Sequence, residues 1–86
     1  MVLVLYSSDE ASQIAQIAIQ LGEAIQTNKR VGYGNVTDLV QNMNPYSEIF
    51  RPVLKIIMEK DEGARNLCKA CLEGLVVAER FREIDG

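Results

Sequence analysis

Between residues 11 and 25 the small and apolar side chains fall at Ala11, Ile14, Ala15, Ala18, Leu21, Gly22 and Ile25. Only an α-helix gathers that three-and-four rhythm onto one face. Ile17 and Ile19 widen the face. Ser7 stands three residues before Glu10, the spacing at which a serine hydroxyl and a glutamate carboxylate satisfy each other's backbone N–H groups at a helix start. Asp9 and Glu10 then complement the positive end of the helix dipole, and Lys29 and Arg30 its negative end. The pattern predicts a helix over 8–27.

The rest of the chain is punctuated so that further helices are short or reset. Gly32, Tyr33 and Gly34 give residues 28–36 loop chemistry. Thr37 or Asp38 can cap a second helix ending near Met43. Asn44-Pro45 offers a restart, with Asn at the cap and Pro where its missing N–H costs nothing. Ile49, Phe50, Val53, Leu54 and Ile57 form the expected inner face of a third helix, which Pro52 should kink or break. Asp61-Glu62-Gly63 opens a fourth, running to about Ile84. Leu67, Cys71, Leu75, Ala78 and Phe81 lie along one of its sides, with Cys68, Leu72 and Val76 adjoining. Gly74 lowers helix propensity by about 1 kcal/mol against Ala, which is easiest to explain where another backbone comes close. Small-residue stripes on helices one and four suggest that these two pack together, within a chain or across a dimer. Residues 2–6 read as a short strand or an apolar arm that pairs with a partner chain.

The fold class expected is therefore all-α: a single helical domain over 1–86, three to four helices with a short N-terminal arm or strand. A chain of 86 residues buries roughly 60–65% of its unfolded surface and has a thin stability margin. It contains two cysteines, too few for a disulfide framework, so self-association as a homodimer is the expected supplement. Residues 1–6 lack a basic stretch and a long apolar segment, which predicts a cytoplasmic protein. No apolar run approaches the ~18–20 residues of a membrane span, so no membrane partner is expected.

Charge and composition narrow the chemistry. The net charge is −3 and histidine is absent, which argues against a protein that coats nucleic acid and removes the commonest general base. No carboxylate pair or nucleophile–base arrangement stands out, so no enzyme and no cofactor are expected. Cys68-Lys69-Ala70-Cys71 puts two sulfurs on one helical face. The pair lies inside a helix rather than at its N-terminus, where a redox thiolate would gain from the dipole. Two copies could supply four thiolates to an intersubunit metal, but packing as small hydrophobes is the favoured reading.

Residues 38–57 match the spacing of a helix-turn-helix, which would turn Tyr46, Ser47, Arg51 and Lys55 outward toward DNA. Pro52 and Glu48 count against it. Gly32-Tyr33-Gly34-Asn35 is too incomplete for a phosphate loop. Tyr33, flanked by Lys29 and Arg30, is instead the candidate anchor for a protein partner. The functional expectation is a small regulatory protein acting through protein–protein contacts, with DNA binding as the alternative and a dithiol or metal protein as the second.

Overall fold

The computed structural model describes residues 5–31 and 36–85, with side chains as far as Phe81. Among these residues the regular structure is entirely helical: α1 (Ser8–Val31), α2 (Thr37–Met43), a single 3-10 turn at Asn44–Tyr46, α3 (Ser47–Lys60), a second 3-10 turn at Glu62–Ala64, and α4 (Arg65–Asp85). The bulk of the N-terminal arm (residues 2–4), the Gly32–Gly34 loop and Tyr33 lie outside the described residues.

The start of α1 forms as its sequence dictates. Ser7 Oγ accepts from the Glu10 N–H at 3.1 Å, and the Ser7 N–H donates to Glu10 Oε1 at 3.2 Å. The helix runs one turn past the expected end, to Val31. At α2 the cap position falls to Val36, which has no side-chain oxygen to offer. Asn44 does not cap α3: its backbone stays right-handed helical at φ −54°, ψ −43°, whereas a capping residue adopts an extended conformation. The chain therefore continues through the 3-10 turn, and α3 starts at Ser47. Pro52 does not break α3. Its ring faces solvent, and Phe50 and Leu54, both buried, anchor the helix on either side of it. Asp61 takes an extended conformation, and its carboxylate accepts the Gly63 N–H at 3.0 Å, stopping α3 and starting the turn into α4.

The buried side chains form one cluster: Ile17, Leu21 and Ile25 from α1, Val40 and Met43 from α2, Tyr46, Phe50 and Leu54 at the start of α3, and Ala64, Leu67, Cys68, Cys71 and Leu75 leading into α4. The short connection makes α3 and α4 an antiparallel pair, with Arg51 near the start of α3 reaching Glu79 late in α4. Three expectations fail here, the first at Val53, which was expected on the inner face of α3 and is 38% exposed. Ala11, Ala15, Ala18 and Gly22 face solvent, so the small stripe of α1 does not pack on α4. Ile14, Ile17, Leu21 and Ile25 supply a second apolar stripe that removes far more apolar area from water, and burial at roughly 25 cal/mol per Å² selects it. Phe81 is 62% exposed rather than in the core, as is about half of Val77.

Gly74 does mark a close approach, but to a side chain. A methyl group there would sit 2.9 Å from Val40 Cγ2 and 3.1 Å from its Cγ1. That contact fixes the separation of α2 and α4.

Candidate functional site

Where α1 passes α2, the structure leaves a cleft of about 340 Å³ between them. Gln13, Gln16 and Gln20 of α1 stand on one side, and Gln41 and Asn42 of α2 on the other. The positions 13, 16 and 20 fall at i, i+3 and i+7, one flank of the helix next to its buried stripe. Two hydrogen bonds frame the opening. The Tyr46 hydroxyl donates to Gln13 Oε1 at 2.7 Å, and Asn42 Nδ2 donates to Gln20 Oε1 at 3.1 Å. Ile17, buried, closes the floor. Among the described residues, Gln16 and Gln41 have no intramolecular hydrogen-bond partner, and no charged side chain lines the cleft.

Tyr46 couples this site to the core. Its ring is 8% exposed and meets Tyr6 edge-on, the centroids 6.0 Å apart. Tyr6 in turn donates its hydroxyl to Glu48 Oε1 at 2.5 Å. That carboxylate pushes the Tyr6 phenol up to about 12, because ionisation would set two negative charges side by side and destroy the hydrogen bond.

The residues singled out from sequence are placed as follows. Lys29 pairs with Asp61 at 2.6 Å, tying the end of α1 to the α3–α4 connection, and Asn28 donates to the Gly63 carbonyl at 3.3 Å beside it. The Lys29 ammonium holds the Asp61 carboxyl below its ordinary value. Lys29 is thus occupied within the chain, while Arg30 is exposed. Tyr33 is not among the described residues.

Of the four residues expected to face DNA, Tyr46 and Ser47 are buried, not outward. Arg51 is half-buried against Glu79 at 3.0 Å, and the same carboxylate oxygen lies 3.4 Å from the Ser47 hydroxyl. Glu79 therefore serves α3. Lys55 alone of the four is exposed. The reason is geometric: α4 folds back along α3 and covers the face that a DNA groove would need.

Cys68 and Cys71 are fully buried free thiols. Burial raises both, aided at Cys68 by the charge of Asp61, and it carries Cys71, next to Cys68, up to about 11. An intersubunit metal would need these sulfurs at a surface, and a second copy cannot reach them here. Among the described residues, no three or more Cys, Asp or Glu side chains converge as a metal site, and no helix is long and apolar enough to cross a membrane.

The carboxamides of the cleft were not singled out from sequence, where they read as ordinary polar residues of two helices. The available signal was compositional: four of the chain's five glutamines line this one opening. No family model, no curated protein and no solved structure matches the chain.

Proposed function

We propose that this protein is a non-enzymatic, regulatory interaction module that acts as a homodimer through protein–protein contacts. The observation that carries the reading is the late part of α4, where Val77 and Phe81 stand one turn apart, 49% and 62% exposed. Fully burying side chains of this size is worth about 1.5–3 kcal/mol each, and the chain's own core leaves that unused. Ile19 on α1 and Ile56 on α3 add exposed apolar area. The late part of α4 is the partner surface proposed, beside the site of Tyr33, Lys29 and Arg30, in which Lys29 also pairs with Asp61. Free buried thiols suit a reducing compartment, and a cytoplasmic setting is part of the proposal.

The test is light-scattering mass of the purified chain and of the double variant Val77→Glu, Phe81→Glu. A dimer for the parent and a folded monomer for the variant is the expected result. A parent that runs as a monomer at micromolar concentration overturns the homodimer.

A further inference from the structure

We infer that α2 is a lid on α4, hinged at Asn44, and that its opening lengthens the α4 face offered to a second copy of the chain. The inference rests on the homodimer reading and adds how that interface is regulated.

Area is the first observation. Val77 and Phe81 are 49% and 62% exposed. Even an aromatic side chain spans only about 150–250 Å², so the two together fall well short of the roughly 800 Å² that each partner gives to a stable complex. More of the same stripe lies next to them. Ala70, Gly74, Val77 and Phe81 fall at i, i+4, i+7 and i+11, the spacing of a helix–helix seam. Ala70 and Gly74 are half-buried, and the cover at Gly74 is Val40 of α2, so close that a methyl group there would meet its side chain. Moving α2 aside uncovers the seam at Gly74 and releases Val40 and Met43, both buried in the closed form, to join the interface.

The second observation is how little holds α2. It has seven residues, fewer than the roughly 12–15 that let a helix persist alone. Val36 gives it no side-chain cap, and Val40 and Met43 are its only buried side chains. The Asn42–Gln20 hydrogen bond joins it to α1.

The third observation places the hinge. Asn44 Oδ1 is buried and has no hydrogen-bond partner among the described residues, a rare condition for a buried polar atom. The sequence Asn44-Pro45 holds the remedy. A residue before proline favours the extended conformation. With Asn44 extended, its side-chain oxygen can accept the backbone N–H of Tyr46 or Ser47, and Pro45 becomes the first residue of α3. In the closed form the chain stays helical through Asn44 and the oxygen is orphaned. In the open form the cap is made and α2 leaves α4. The switch at Asn44 thus exchanges the burial of Val40 and Met43 for a satisfied amide, which makes two discrete states of one element.

The test locks the lid. Val40 Cβ lies 3.5 Å from a Cβ placed at Gly74, within the roughly 3.5–4.5 Å that a disulfide spans. Val40→Cys with Gly74→Cys, treated with diamide, should therefore lose two hydrogens and join α2 to α4. The oxidised lock should weaken self-association in light scattering by about tenfold or more, and reduction should restore it. Amide exchange reads the hinge in the monomer as well. Asn44→Ala removes the orphaned oxygen and the cap together, and should slow exchange at Val40–Met43 about fivefold more than in α4, the worth of one cap. A bridge that does not form, or a lock that leaves association unchanged, overturns the lid. Exchange at Val40–Met43 that speeds up, or slows only as much as α4, overturns the hinge. A parent that is monomeric throughout overturns the homodimer reading and the lengthened face, while exchange still judges the hinge, so the readings fail separately.

Discussion

The seam between α3 and α4 and the seam between α1 and α2 are each made by two neighbouring helices, yet they are filled by opposite chemistries. Phe50, Leu54, Cys68, Cys71 and Leu75 pack the first with almost no exposed area. The second is apolar only at its base and opens outward into glutamines. Buried apolar area stabilises the first, at about 0.8 kcal/mol for each methylene removed from water. In the second, side-chain hydrogen bonds fix geometry more than they add stability, since each nets only about 0.5–1.5 kcal/mol. The difference teaches that a domain this small can concentrate its stability in one helix pair and keep the boundary of another pair polar and open.

The comparison breaks most sharply at Leu75, which has no exposed surface. Leu75→Ala should cost about 2.5–4 kcal/mol in denaturant unfolding, and a loss under 1 kcal/mol would deny that the α3–α4 seam dominates. Gly74 and Gly22 sharpen it, since both are helical glycines and their surroundings differ. Ala at position 74 must displace Val40, a β-branched side chain that cannot swing aside, so overpacking outweighs the propensity gain and Gly74→Ala should lose about 1 kcal/mol. Nothing lies within 4 Å of a methyl group at Gly22, and Gly22→Ala should gain about 0.5–1 kcal/mol. Thermal melts showing the same sign for both would refute the placement of α2 against α4.

The smallest effect is the acid response of the Lys29–Asp61 pair. The folded Asp61 carboxyl titrates below its ordinary 3.8, so its contribution is complete above about pH 4 and disappears as pH falls through the lower folded value. Asp61→Asn should flatten that part of the acid arm only slightly, because the pair is a third exposed. Identical acid profiles for parent and variant would show that the pair is unmade in solution.

Much of this was legible in the sequence, and the misses share a cause. The Ser7–Glu10 box, the reach of α2 to Met43 and the Asp61 start into α4 are local events, decided by residues within a turn of one another. On α1, two apolar stripes share Ile14, Leu21 and Ile25. Periodicity alone could not say whether the alanines or Ile17 faced inward, because that depends on where α2 comes to lie. Tyr46 and Ser47 looked outward for the same reason, since Tyr46 meets Tyr6 and Gln13 of α1, and Ser47 meets Glu79 of the returning α4. Phe81 fitted the apolar side of α4, but α3 begins at Ser47 opposite Glu79, and among the described residues no helix extends far enough to cover it. The glutamine cleft needed two helices to exist at all.

Cys68 and Cys71 are the chain's two cysteines, and both sit in the seam that contributes most stability. Their burial gives the molecule a built-in gauge. A thiol reagent needs an exposed thiolate, and in the closed fold it meets neither exposure nor ionisation. The pace of labelling therefore records how often the α3–α4 pair parts. With no tryptophan in the chain to report by fluorescence, these sulfurs are its native reporters of core opening.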